Sequence, residues 1–357
     1  MPEAPHSVPQ QGADHLLRAT DATVDDRSFL RTFLIAFIAA ALLIAAANFI
    51  IDPTDVFHTG LFPPVTWVDR DEKSVFFTQM QPKPQLLILG SSRMMKMNPT
   101  CATSLSGLKT FNFAVNDARA EDYLAILGFV SDHGGPPKRI LIGIDSEGLS
   151  NAPFDWRLAN SKYLSRYLPV RPSKFSRLGE NLLSRIQLTA SISSVRHVLT
   201  HQRETIRVGP DGYLTYIDLE ERKSRGTFDL RREIQVSLTG YASSFEHFDG
   251  LSPARVAMLH DFFTQCRAKG IQVDAVIPPL HPDVLAAMQR TPVRARIADT
   301  VRMLRQFEAE GLLHYVDVTT IDRFGGDPER FFDGIHMEEW NSSRLLEHVY
   351  GGRCAVQ

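Results

Sequence analysis

Two short segments near opposite ends of this chain carry a serine, an acid and a histidine. Leu86-Leu87-Ile88-Leu89-Gly90-Ser91-Ser92-Arg93 is an apolar run closed by small residues, and Phe332-Asp333-Gly334-Ile335-His336 puts a carboxylate three residues before an imidazole. A hydroxyl on a tight turn after a buried strand becomes a nucleophile when an imidazole takes its proton and a carboxylate orients that imidazole. Ser92, His336 and Asp333 are therefore the candidate nucleophile, general base and orienting acid. Each signal has a plainer reading: Ser91 and Ser92 can cap a turn, and Asp333 can be a cap beside a surface histidine.

An acyl-transfer site also needs N–H groups aimed at the developing oxyanion. The Ser92 amide is one donor. A second loop follows Phe111-Asn112-Phe113-Ala114-Val115-Asn116, where Asn112 or Asn116 could offer a side-chain amide or else fix the turn. Asp145 and Glu147, in Ile142-Gly143-Ile144-Asp145-Ser146-Glu147, could line a pocket or orient Arg93. His281, in Ile277-Pro278-Pro279-Leu280-His281-Pro282, could face substrate or pack its loop.

The elements around these residues alternate. Strands are predicted over 85–90, 109–115, 139–144, 271–277 and 313–318, and helices over 122–131, 253–269, 282–309 and 338–350. Ser252 precedes Pro253 as a helix-start pair, and Gly270 stops that helix. Residues 154–248 break the rhythm, with helices expected at about 155–168 and 173–203 and a Pro-Asp-Gly turn within 209–217. This stretch reads as an insertion. Strands separated by helices imply a mainly parallel sheet covered on both faces, with the site at the carboxyl ends of the strands. Ser92, Asn112, Asn116 and Asp145 all fall at or just past such ends.

Residues 33–51 (FLIAFIAAALLIAAANFII) form a 19-residue run without a charge and with one polar side chain, Asn48. At about 1.5 Å per residue such a helix is about 28 Å long, close to a bilayer core. Arg18, Arg27 and Arg31 precede it, while Asp52 and Asp55 follow it. The positive-inside rule then puts residues 1–32 in the cytoplasm and the rest outside, on a cytoplasmic-membrane anchor with a periplasmic or otherwise extracytoplasmic domain. Cleavage near Ala45-Ala46-Ala47 is the alternative to a retained anchor. The polar first residues read as a disordered tail, and the proline-rich 52–84 as an irregular tether leading to a domain over 85–351.

The 357-residue chain is 43% hydrophobic and 22% charged, enough for a sizeable core. Its net charge of −2 and lack of a basic run argue against nucleic acid as the main partner. Three widely spaced cysteines, Cys101, Cys266 and Cys354, suggest isolated thiols and no disulfide framework. No metal-ligand spacing occurs; His197 and His201, one helical turn apart, lack a third ligand. No cofactor is implied.

On these residues the chain resembles the SGNH (GDSL-type) hydrolase superfamily. It is most similar to the membrane-anchored branch that includes alginate O-acetyltransferases and teichoic-acid D-alanine transfer proteins. The resemblance spans roughly residues 50–351 and rests on Ile51-Asp52-Pro53, LILGSSR (87–93), FNFAV (111–115), LIGID (141–145), IPPLHP (277–282) and FDGIH (332–336). It implies a flavodoxin-like three-layer α/β/α parallel sheet, with Ser92 at the family nucleophile and Asp333 and His336 at its terminal Asp-x-x-His. Ser91 stands where the family has aspartate, FNFAVND lacks the family glycine, and the Gly-x-Asn-Asp block has no counterpart. The implied activity is acyl-ester transfer or cleavage on a cell-surface polysaccharide, in company with a membrane-bound O-acyltransferase. A catalytically silent scaffold that binds glycan or partner is the rival.

Overall fold

A strand reading Leu-Leu-Ile-Leu has no polar face to give to water, so it must lie in the middle of a sheet covered on both sides. Leu86–Leu89 does so, with all four side chains buried. The computed structural model describes residues 26–57, 59–62, 69–169, 173–200, 205–243 and 248–354. The expected N-terminal tail, with Arg18, and His201 lie outside these residues, as do Pro63 and Pro64.

Five parallel strands form the sheet: β1 (Leu86–Leu89), β2 (Thr110–Asn112), β3 (Arg139–Gly143), β4 (Gln272–Val276) and β5 (His314–Tyr315), in the order β2-β1-β3-β4-β5. Ile88 pairs with Asn112 on one side and Leu141 on the other. The order reverses beside β1, which makes the carboxyl end of β1 the topological switch point where such sheets bind ligands. Helices Ala120–Gly134 and Pro253–Ala268 pack on one another, as do Pro99–Ser106 and Glu339–Tyr350, and together they flank the sheet. The expected α/β architecture with one long N-terminal apolar helix is present, that helix being Asp26–Ile51.

Five expectations need correction. The helix expected over about 173–203 is two, Lys174–Leu183 and Arg185–Thr200. The 52–84 segment is not an irregular tether throughout, because Asp69–Gln79 is a helix with Asp69, Arg70, Lys73 and Phe77 buried. Its charges are paired inside: Arg70 Nε donates to Asp122 Oδ1 at 2.7 Å, Arg70 Nη2 donates to Asp155 Oδ2 at 3.3 Å, and Lys73 Nζ donates to the Ala114 carbonyl at 2.6 Å. Burial pushes the Lys73 ammonium down to about 8. Cys101 and Cys354 form a disulfide across 253 residues of sequence, because the packed pair of helices Pro99–Ser106 and Glu339–Tyr350 brings their Cα atoms within 5.2 Å. Cys266 remains a buried thiol. The helix expected over 282–309 is two, Pro282–Ala287 and Val293–Ala309, separated by a turn at Met288–Arg290; Pro292 can neither donate an N–H nor let Thr291 adopt helical geometry. The helix expected over 155–168 stops at Asn160, where buried Ser161 leaves helical geometry and its hydroxyl bonds Asp71.

The insertion is built onto the sheet edge. Strands Arg207–Val208 and Leu214–Thr215 pair around the Pro210-Asp211-Gly212 turn, and the Asn112 N–H donates to the Asp211 carbonyl at 2.9 Å. Gly212 has φ +81°, and a Cβ there would strike the Asn112 carbonyl, so only glycine lets the turn dock on β2.

Candidate active site

The turn after β1 depends on Gly90. Its φ is +142°, and a Cβ would collide with Met94 and crowd the Gly143 carbonyl. The two serines that follow divide the work. Ser91 is buried and its Oγ accepts the Arg93 N–H at 3.2 Å, capping the short turn Ser92–Met94. Ser92 begins that turn half-buried, and its backbone N–H donates to no group among the described residues.

His336 reaches Ser92 from the far end of the chain. Phe331 and Met337 form an antiparallel bridge, and the loop between them is closed by Phe332 N–H donating to the His336 carbonyl at 2.9 Å. Asp333 Oδ1 accepts the Ile335 and His336 N–H groups, each at 2.7 Å, which fixes the carboxylate. Its other oxygen meets His336 Nδ1 at 2.7 Å, and His336 Nε2 meets Ser92 Oγ at 2.8 Å. These distances suit Nδ1–H donating to Asp333 and Nε2 accepting the Ser92 hydroxyl. Burial pulls the Asp333 carboxyl upward, but the adjacent imidazole and the donated hydrogen bonds hold it below the usual carboxylate range. The carboxylate thus stays ionised, as an orienting acid must. The arrangement can move a proton from a hydroxyl to an imidazole without further rearrangement.

The other sequence-selected residues support this constellation from outside it. Asn112 is fully buried; its amide donates to the Met94 and Met97 carbonyls, both at 2.9 Å, and its Oδ1 accepts the Ala114 N–H at 3.0 Å. It braces the serine turn and has no amide hydrogen left for an oxyanion. The Asn116 N–H donates to Asp69, while its half-buried side chain bonds no described residue. Val115 N–H donates to the Gly90 carbonyl at 2.9 Å, so Asn116 follows directly on a residue tied to the turn. Arg93 points away from solvent: Nη1 pairs with Asp145 Oδ1 at 2.8 Å, and Nη2 donates to the Pro278 carbonyl, lacing together the ends of β1, β3 and β4. Burial and the neighbouring Asp145 charge push the Glu147 carboxyl up to about 7, against the opposing pull of Arg93. His281 is buried; its Nδ1 accepts the Asp283 N–H at 3.1 Å, which leaves Nε2–H to donate to the Pro328 carbonyl at 3.1 Å. With the His281 N–H donating to the Gly334 carbonyl at 3.0 Å, this residue clamps the loop that carries Asp333 and His336.

Sequence reasoning missed four contributing residues. Tyr216, from the insertion, sets its ring edge against His336 at 6.0 Å and Phe332 at 5.1 Å, walling one side of the imidazole. Lys96 lies over the Tyr213 ring at 4.4 Å and pairs with Glu220 at 2.9 Å, joining the segment after the serine turn to the insertion. Asp69 and Lys73 hold the 114–116 loop from beneath. No local pattern marks Tyr216 or Lys96; the buried charges of 69–73 would have been visible only as an oddly charged helix.

No known protein family matches this sequence, and no curated protein matches it either. Among solved structures, a Bacteroides fragilis protein provisionally described as an acylhydrolase aligns with 80% of this chain and 95% of its own, at 10% identity and a TM-score of 0.35. A likeness this distant does not bear on chemistry.

Proposed function

We propose that this chain is a membrane-anchored, extracytoplasmic serine enzyme of SGNH type that transfers or cleaves an acyl ester on a cell-surface polysaccharide. The observation that carries the reading is the continuous relay from Ser92 Oγ through His336 to Asp333, at 2.8 and 2.7 Å. Ser92 Oγ attacks the acyl carbonyl while its proton passes to His336 Nε2. The tetrahedral oxyanion is held by the Ser92 N–H, with the Asn116 amide as second donor. Collapse expels the alcohol, which takes the proton from Nε2 and leaves the acyl group on Ser92. Water or a sugar hydroxyl then gives its proton to His336 and attacks the acyl carbonyl, and the second collapse breaks the bond to Ser92, whose Oγ takes the proton back from Nε2. No cofactor is required.

Two observations support placing the domain outside the cytoplasm. Arg27 and Arg31 precede the apolar run, and the Cys101–Cys354 disulfide suits an oxidising compartment. A tether at the membrane keeps such an enzyme where glycans and their acyl donors emerge, and a membrane-bound acyltransferase is the partner this reading favours.

The test uses the full-length protein in detergent with an acetyl-ester reporter, with and without oligosaccharide acceptors. Removing the nucleophile in Ser92→Ala should lower turnover at least about 10³-fold. A Ser92-linked acyl adduct in the parent, visible by mass spectrometry, should be absent in the variant. Acceptor-dependent loss of the adduct marks transfer; acceptor-independent loss marks hydrolysis. If, in cells, a folded Ser92→Ala protein leaves polysaccharide acylation intact, the chain is a scaffold instead.

A further inference from the structure

The apolar helix does not stand alone. From Arg27 to Ala40 it is exposed on every side, but along Ala41, Ile44, Ala45, Asn48 and Ile51 it is covered, and helices Lys174–Leu183 and Arg185–Thr200 pack against it. Asn48, the one polar residue of the apolar run, is buried there. Its Nδ2 donates to the Leu182 carbonyl at 2.8 Å, and its Oδ1 accepts the Ser191 hydroxyl at 2.7 Å. Gln187 Nε2 reaches Thr54 Oγ1 at 2.9 Å, just past the helix end.

Length makes this contact informative. The run from Phe33 to Ile51 is about 28 Å long and the hydrocarbon core about 30 Å. If everything from Ala41 onward stood in water, only eight apolar residues, about 12 Å of helix, would remain to cross it. The hairpin of the two helices must then share the depth of the last turns of the span.

The hairpin's own polarity is reversed to suit that place. On Arg185–Thr200 the polar residues Gln187, Ser191 and Ser194 are buried, whereas Ile192 is 62% exposed and Leu199 74%. Leu178, Leu183 and Val198 are exposed as well. The outward hydroxyls need no water, because Thr189, Ser193 and Thr200 each donate to the carbonyl four residues earlier. Glu180, Arg185 and Arg196 are also exposed, so the hairpin can lie no deeper than their side chains can reach back to headgroups.

We infer that the hairpin Lys174–Thr200 is a second membrane element, seated in the outer-leaflet interface beside the anchor with Ile192 and Leu199 in lipid. The occupant of its exposed face is the bilayer. The inference rests on the anchor reading above, and the test separates the two. The full chain, carrying single changes Ile38→Cys, Ile192→Cys, Leu199→Cys or Glu221→Cys, is labelled with a polarity-sensitive fluorophore. It is then reconstituted in phosphatidylethanolamine and phosphatidylglycerol vesicles that contain brominated lipid; the parent chain, with only the buried Cys266 free, gives the background. Positions 192 and 199 should show blue-shifted emission and lipid quenching of about half that at position 38 or more, as an interfacial depth of about 5–10 Å requires. Glu221→Cys, on helix Ile217–Ser224 of the insertion, should remain unquenched. Quenching at 38 without quenching at 192 and 199 overturns the inference and leaves the anchor; absence of quenching at 38 overturns both.

Discussion

At the strand ends, Asp333 and His336 keep 24% and 19% of their side chains open to solvent, and each polar atom of the relay has a partner. At the anchor, Asn48, Gln187 and Ser191 are hidden while Ile192 and Leu199 face outward. The two seams obey one rule, that a buried polar atom must be bonded. Beside the sheet the outer medium is water, so polar groups that act can be partly exposed. Beside the anchor, helix Arg185–Thr200 buries Gln187, Ser191 and Ser194 and returns its outward hydroxyls to its own carbonyls, as the membrane-hairpin proposal requires.

The largest expected effect lies in the first seam. Asp333→Asn keeps the loop's size but removes the charge that faces His336, and should cut turnover of the ester reporter by about 10²–10⁴-fold with circular dichroism unchanged. Turnover within threefold of the parent would mean that the relay is ornament. In the second seam, Asn48→Leu removes two hydrogen bonds between anchor and hairpin, each worth about 0.6 kcal/mol in membrane proteins. Hydrogen exchange in Arg185–Thr200, followed in nanodiscs, should accelerate about five- to tenfold while ester turnover in the separate strand-end site stays level. A coupled loss of turnover would show the seams to be one. The smallest effect concerns pH. Glu147 is pushed up to about 7 in the fold, so the folded state holds its proton more tightly than the unfolded chain does. Its contribution is present at low pH and is lost as pH rises through about 7. Relative to Glu147→Gln, the parent's urea midpoint should therefore fall between about pH 5 and 8, modestly, since 21% of the Glu147 side chain is exposed. A flat difference would mean that burial beside Asp145 does not raise the Glu147 carboxyl.

Some of this was legible in order and spacing. The Leu86–Leu89 run announces a central strand, and the five alternating strands appear within a few residues of their expected ends. Helix Asp69–Gln79 was not legible, because Arg70 makes sense only beside Asp122 and Asp155, which lie 52 and 85 residues away. Asn112 and His281 could be picked as polar residues at strand ends. Whether they meet substrate or carbonyls depends on which backbone atoms arrive around them, and those come from Met94, Met97 and Pro328.

What the sequence determined by itself was therefore local: apolar runs long enough to be strands or an anchor, a glycine where φ must be positive, and an Asp-x-x-His close enough to fold onto itself. These follow from sterics and hydrophobic patterning over a few residues. Only the tertiary structure decided that His336 meets Ser92 from 244 residues away, that Cys101 meets Cys354, and that Asn48 finds Ser191. Such meetings are set by how whole helices and strands pack, and packing is a property of surfaces that no short stretch of chain contains.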